Sequence, residues 1–390
     1  HNSTFLTHMK SKLLKSGHIK LYKRENSNYW QLKIKLPKIK AIRISTGSKI
    51  LNDAEKIALK YYSTLINKTN ISIKKSKNIF KKIHLVETAD LKKNEIEFIL
   101  NESTKFIAFN KKRIKKLNLL EGRTIFNLFF EDSTRTRTSF EVAAKRLGAD
   151  LINVVVKDSS INKGETLLDT MTTINSMNPD ILIVRHPEDG ISKKISNTID
   201  ASVINAGDGS HEHPTQALLD ALTIKNKFKD FSKLKIAICG DILHSRVARS
   251  NIIILSKLGA KINVIGPKEW LPKNIKKLPV KVFTNMKKGL YNCDIVMMLR
   301  IQKERIVGKI MPNQKTYFKK YGLDYNKLKY ANKNAFVMHP GPMNRGIEID
   351  SDLADDITRS LIQEQVAMGV AVRMACLDLI IKNRDNLVSN

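Results

Sequence analysis

The sequence predicts an α/β fold with open parallel sheets, preceded by a small basic extension of β-β-β-α type. Two observations lead to the sheets and a third sets the extension apart. From about residue 90 onward, short apolar runs of strand length alternate with segments whose apolar residues recur at helical spacing, the pattern of βαβ units. Polar clusters rich in arginine and histidine follow most of those runs, and ligands of open parallel sheets bind beyond the carboxyl ends of strands. Residues 1–82 carry 20 Lys and Arg against 3 Asp and Glu, whereas the remainder carries 49 against 34.

In chain order, the first residue is His1 rather than Met, so the first ten residues are set aside from fold reasoning. Strands are expected at 19–22, 29–36 and 41–44, then a helix at 52–66. In the second strand Trp30, Leu32, Ile34 and Leu36 alternate onto one face. With Ser45, Thr46 and Gly47 before the helix, this pattern resembles the small N-terminal arm-binding domain of phage-type integrases. A solvated appendage without a partner fits it equally well. Residues 67–80, rich in Lys, Ser and Asn, read as a linker.

A helix at 90–109 opens the α/β region, and strands are expected at 124–130, 151–156, 181–184, 203–206, 235–239, 261–265, 295–299 and 335–338. After the first of these, the chain breaks into Ser133, Thr134, Arg135 and Thr136. Phe140, Ala143, Ala144 and Leu147 place a helix there, with Gly148 as its stop. Its first turn offers free backbone N–H groups, the positive end of the helix dipole, three hydroxyls and Arg135 to a single phosphate. A long helix at about 360–383 closes the chain.

With 390 residues and 42% apolar composition, the chain is long enough for two or three domains. It shows no apolar run of membrane-spanning length and no apolar signal core, so a cytoplasmic location is expected. Cys239, Cys293 and Cys376 lie far apart in apolar pattern and read as reduced core residues, without zinc spacing. A net charge of +32 attracts phosphate backbones. Lysine bias runs through the whole chain, so nucleic acid is a candidate partner only through residues 1–80; over half the excess lies in residues 1–82.

The expected strand ends carry Ser133 to Thr136, Ser159 and Lys163, Arg185, His213 and Gln216, Arg246, Arg300 and Gln302, and the run His339, Pro340, Gly341, Pro342. This inventory is rich in cations and lacks an acid–base dyad. It suits a substrate with several negative charges and a reaction that needs orientation more than a protein nucleophile. His211 and His213 lack a third metal ligand, so no metal site is assigned. Gly240 and Asp241 follow a strand without a GxGxxG pattern or a Walker lysine, which excludes dinucleotide and ATP binding. Ser133 and Thr136 have no adjacent base to make either a nucleophile.

From about Lys81 to the C-terminus, the order and spacing of these elements resemble the aspartate carbamoyltransferases of the carbamoyltransferase superfamily. The resemblance rests on the Ser-Thr-Arg-Thr-Arg element at Ser133, on Lys163-Gly-Glu, on His213-Pro-Thr-Gln, on Arg300 with Gln302 and Arg305, and on the run from His339 to Arg345. It implies two doubly wound parallel-sheet domains joined by helices: a carbamoyl phosphate-binding domain of residues 81–215 plus 361–390, and an aspartate-binding domain of residues 216–360. Ser133, Thr134, Arg135 and Thr136 would cradle the phosphate of carbamoyl phosphate. Thr136, Arg185 and His213 would face its carbonyl oxygen, Gln216 its amide, and Pro340 and Gly341 would line the site through their backbone. Arg246, Arg300 and Gln302 would hold the carboxylates of L-aspartate. Ser159 and Lys163 would reach a neighbouring subunit's site, making a homotrimer the active unit. The departing phosphate would accept the amine's proton, and no cofactor or metal is implied. A regulatory chain or a dihydroorotase is admitted as a further partner. Val247 stands where some members carry threonine. The ornithine carbamoyltransferases share the cradle but typically carry His-Cys-Leu-Pro where this chain has His339 to Pro342, and lack the Lys-Gly-Glu loop.

Overall fold

The computed structural model describes residues 11–14, 18–24, 27–35, 41–69, 79–155, 166–302 and 313–388. The chain forms two compact units, residues 1–78 and 79–390. In the first, β1 (Ser11–Leu14), β2 (Ile19–Lys23), β3 (Trp30–Ile34) and β4 (Ile42–Ser45) make an antiparallel sheet in sequential order. Helix α1 (Leu51–Thr69) lays Ala54, Ala58 and Tyr62 on Ile19, Leu21, Trp30, Leu32 and Ile34. The extension therefore has four strands, not three. β1 escaped the reading because Ser-Lys-Leu-Leu has no alternation and lies before His18. Leu36, expected on the core face, lies outside the described residues.

The second unit begins with α2 (Lys93–Phe109) and alternates strands with helices: β5 (Thr124–Phe129), α3 (Thr134–Leu147), β6 (Asp150–Val155), α4 (Leu167–Asn175), β7 (Ile181–His186), α5 (Ile191–Ser196), β8 (Ser202–Asp208) and α6 (Pro214–Lys227). These four strands form one parallel sheet in the order β6-β5-β7-β8. There follow β9 (Lys235–Cys239), α7 (Arg246–Leu258), β10 (Lys261–Ile265), β11 (Val280–Phe283), α8 (Met286–Leu290), β12 (Ile295–Met298), α9 (Gln314–Tyr321), α10 (Tyr325–Leu328), β13 (Phe336–Met338), α11 (Ser351–Asp355) and α12 (Ile362–Val388). Their strands form a second parallel sheet, ordered β11-β10-β9-β12-β13. Both sheets are doubly wound. The strand order reverses between β5 and β7 in one and between β9 and β12 in the other, and such switch points open a crevice beyond the strand ends.

The edge strand β11 was not foreseen, since Val-Lys-Val-Phe is short and only half-buried. Every strand expected between 124 and 338 is present, with ends displaced by a residue or two. The reason is local: central parallel strands are buried on both faces and read as continuous apolar runs. The three cysteines are free and buried, as expected. Among the described residues no helix is long and apolar enough to cross a membrane. α12 packs on α2, α3 and α6, and its apolar side chains join the large core that extends under both sheets. Four polar side chains of that helix, Gln365, Arg373, Asp378 and Asn383, are buried with them.

Candidate active site

The ends of β5, β7, β9, β12 and β13 and the starts of α3, α6 and α7 line one cavity of about 680 Å³. On the β5 side, Ser133 is the N-cap residue of α3, yet its hydroxyl makes no capping bond. That leaves both the hydroxyl and the first-turn N–H groups available to an anion. Arg135 lies against the backbone of Gly341, where φ is +61° and a Cβ would fall 1.8 Å from the guanidinium. Glycine is needed there both for the left-handed backbone and for the approach. Gly207 plays the same part for two other arginines: at φ +117°, a Cβ would stand 3.0 Å from Arg185 Nη1 and from Arg246 Cζ.

Arg185 and Arg246 are held by one carboxylate. Glu131 Oε2 lies 2.6 Å from Arg246 Nη2 and 3.2 Å from Arg185 Nε, and Arg185 also donates to the Ala206 carbonyl at 3.2 Å. Arg246, just past the end of β9, is thus tied to residues at the ends of β5 and β7. Burial, then the nearby Arg300 charge, lowers the pKa of Arg135. Burial and the charges of Arg135 and Arg300 push His339 down to about 3. Two guanidiniums converging on a neutral histidine raise the local potential, and a bound dianion would relieve it.

His213 caps α6, with Pro214 at the first helical position. Its N–H donates to Ser250 Oγ at 2.9 Å. Burial, followed by Arg185, Arg373 and Arg246, holds its imidazole pKa well below 6.5. The ring is therefore neutral at physiological pH and can donate one hydrogen bond to an oxygen without changing charge. His339 Nδ1 accepts from the Gly341 N–H at 2.8 Å, which puts its proton on Nε2, facing Glu348 at 3.9 Å. Buried Glu348 accepts from Ile301 N at 3.0 Å and from Asn344 Nδ2 at 2.6 Å, fastening the residue after Arg300 to the turn that follows β13. Gln302 is anchored through its N–H to Asp241 Oδ2 at 3.3 Å.

Asp220, one turn beyond Gln216, is fully buried and links three helices. It accepts from Gln216 Nε2 (3.0 Å), Gln365 Nε2 (2.7 Å) and Asn251 Nδ2 (2.7 Å), and Gln365 accepts the His339 N–H at 3.0 Å. The bond to Asp220 fixes the Gln216 amide by one of its N–H groups, and its carbonyl oxygen can accept from a ligand amide. Burial raises Asp220 to about 6, although all three partners favour its charged form. Protonation below about pH 6 would turn one accepting oxygen into a donor and release an amide. Activity at limiting substrate is accordingly expected to fall as pH drops through about 6. Asp220→Asn should lose that limb and show a raised KM at all pH values; an unchanged acid limb in the variant would assign it to another group.

The cavity gathers Ser133, Thr134, Arg135, Thr136, Arg185, His213, Gln216, Arg246, Arg300, Gln302, Pro340 and Gly341. Ser159, Lys163 and Arg305 lie outside the described residues. Sequence reasoning missed Glu131, Asp220, Gln365 and Arg373. Arg373 donates to Ser139 Oγ at 2.7 Å and stacks 4.9 Å over Phe140. Burial lowers its pKa to about 10, so it remains a cation at neutral pH. An arginine inside the otherwise apolar run 366–377 was the available signal, since a buried charge demands partners.

Five arginines and two acids, Glu131 and Asp132, line this crevice at two switch points. Such a site defines an α/β enzyme that orients a multiply charged anion for group transfer. Residues 83–226 match the family described as "Aspartate/ornithine carbamoyltransferase, carbamoyl-P binding domain", and residues 232–380 match its "Asp/Orn binding domain". The chain belongs to the aspartate/ornithine carbamoyltransferase family. It is 56% identical over 296 residues to the aspartate carbamoyltransferase catalytic subunit of Pelagibacter ubique, covering 76% of this chain and 95% of that one. The corresponding subunit of Parvibaculum lavamentivorans is 54% identical over 308 residues, covering 79% and 94%. Among solved structures, aspartate transcarbamoylase from Trypanosoma cruzi in complex with N-(phosphonacetyl)-L-aspartic acid matches with a TM-score of 0.67 at 29% identity, over 76% of this chain and 94% of that one. Ornithine carbamoyltransferase from Pyrococcus furiosus matches with a TM-score of 0.68 at 26% identity, over 77% and 97%.

Proposed function

We propose that this chain transfers the carbamoyl group of carbamoyl phosphate to the amine of L-aspartate, giving N-carbamoyl-L-aspartate and phosphate, the second step of de novo pyrimidine synthesis. The observation that carries the reading is the pairing of a helix N-terminus without a side-chain cap, and Arg135, with Arg246 and Arg300 in one crevice. Relatives named for this activity at 51–56% identity support aspartate over ornithine as the amine.

In this reading the phosphate sits on the first turn of α3 against Arg135. Thr136, Arg185 and neutral His213 point at the carbonyl oxygen and stabilise the charge that develops there. Gln216 accepts from the carbamoyl NH₂, with Asp220 setting its orientation. Arg246, Arg300 and Gln302 hold the two carboxylates of aspartate, to which planar guanidiniums are matched. The neutral amine attacks the carbonyl carbon, the C–O bond to phosphate breaks, and the leaving phosphate takes the amine's proton. We divide the second unit functionally into residues 81–215 with 361–390 on the phosphate side and 216–360 on the aspartate side, a division supported by the packing of α12 on α2, α3 and α6.

The test is carbamoyl transfer to L-aspartate and to L-ornithine side by side. Activity with aspartate alone is expected; activity with ornithine, or with neither amine in folded protein, would overturn the reading. We further assign the protein to the cytoplasm and to a homotrimer in which Ser159 and Lys163 serve a neighbouring subunit's site. Reassociating equal amounts of inactive Arg135→Ala and Lys163→Ala chains should then restore about one-quarter of wild-type activity, the statistical share of correctly flanked sites in a closed ring. No recovery would mean that each chain holds a complete site.

A further inference from the structure

α12 carries a cation into the apolar core. Arg373 is 4% exposed, and its Nη1 donates to a neutral acceptor, Ser139 Oγ, at 2.7 Å. Among the described residues its Nε is buried without a hydrogen-bond partner, and no carboxylate forms an ion pair with it. Such a charge costs free energy. Arg373 also lines the cavity, where an arriving anion offsets that cost. Three helices set its place. On α3, Ser139 stands one turn beyond Arg135, and on α6, Asp220 stands one turn beyond Gln216. On α12, the guanidinium stacks 4.9 Å over Phe140 and folds back across Gly369, where a Cβ would fall 2.8 Å from Nη1 and 3.7 Å from Ser139 Oγ. Helical side chains lean toward the N-terminus of their helix, which takes this charge toward Gln365 and the cavity.

We propose that Arg373 is a positioning residue for carbamoyl transfer: it ties α3, one turn beyond Arg135, to α12 and sets the charge beside Asp220, which holds Gln216. The inference rests on the carbamoyl-transfer reading of this site. The first turns of α3 and α6 carry the groups assigned to the phosphate and to the carbamoyl amide, and Arg373 braces the next turn of both. Asp220 faces the amides of Gln216 on α6, Asn251 on α7 and Gln365 on α12, together with the charge of Arg373. Of these Arg373 is the charged group, and it favours the ionised carboxylate. Without it Asp220 takes up a proton more readily, so the acid limb of kcat/KM moves to higher pH. A residue that only packed against Phe140 would leave that limb in place.

The test compares Arg373→Met, Arg373→Lys and Gly369→Ala in the full chain, by steady-state kinetics across pH and by thermal unfolding. Arg373→Met should lower kcat/KM for carbamoyl phosphate by about tenfold to a hundredfold, through KM more than kcat. Its acid limb should move upward from about pH 6. It should unfold at no lower a temperature than wild type, because an apolar side chain replaces an unpaired charge. Arg373→Lys keeps the charge without the planar group over Phe140, so its limb should stay at the wild-type position and its KM should rise less. Gly369→Ala keeps the guanidinium but pushes it aside, and should raise KM with kcat nearly unchanged. An acid limb of Arg373→Met that coincides with that of wild type, or a wild-type KM in both Arg373→Met and Gly369→Ala, would overturn the role while leaving the carbamoyl-transfer reading intact. Wild-type protein inactive toward both amines would remove that reading and this role together.

Discussion

Arg135→Ala is expected to lower kcat/KM for carbamoyl phosphate by about 10³-fold, the scale on which charge-stabilising donors in closed sites act. The guanidinium is positioned against the Gly341 backbone beside Arg300 and neutral His339, where a charge-assisted bond to phosphate is poorly screened. Arg135→Lys keeps the charge but not the planar fork and should recover only part of the loss. The free protein should respond in the opposite sense. Removing this cation relieves its repulsion with Arg300, so the alanine variant should unfold at an equal or higher temperature than wild type. Phosphate should raise the unfolding temperature of wild type and leave that of the variant nearly unmoved. A variant that is both inactive and unstable would instead give Arg135 a structural role.

Glu131→Gln should be costly on both counts. Its carboxylate is shared by Arg185 and Arg246, and without it two largely buried guanidiniums lose that common counter-charge. A destabilisation of about 2–3 kcal/mol is expected, below the full cost of breaking a buried pair because the Glu131 side chain keeps 20% exposure. The same change frees Arg246 to leave its place at the end of β5, and kcat/KM for both substrates should fall about 10²-fold. Added phosphate should restore stability more in this variant than in wild type, since the anion substitutes for the missing charge. Calorimetry with and without phosphate, alongside steady-state kinetics, separates these effects. Equal gains in the two proteins would show that Glu131 is not the counter-charge.

Much of the architecture was legible because its causes are local. The apolar run ending at Phe129, the hydroxyls from Ser133 and the periodicity of Phe140, Ala143 and Leu147 locate a strand, a helix start and the proposed anion cradle without any distant residue. β1 and β11 escaped for a local reason too: Ser-Lys-Leu-Leu and Val-Lys-Val-Phe are short edge segments, and edge strands need not bury a continuous apolar face. Cavity residues at strand ends could be collected because a parallel doubly wound sheet brings such ends together.

By itself, the sequence determined the order of elements, the α/β class, the helix start proposed as the phosphate cradle and the kinds of side chain available at each strand end. Only the tertiary structure decided which of them act together. Glu131 reaches an arginine 115 positions away, Asp220 binds a glutamine 145 positions away, and the neutrality of His213 and His339 follows from burial beside cations on other elements. Charge state and pairing depend on distance and dielectric in space, and those are set when the two sheets and α12 pack, not by spacing along the chain.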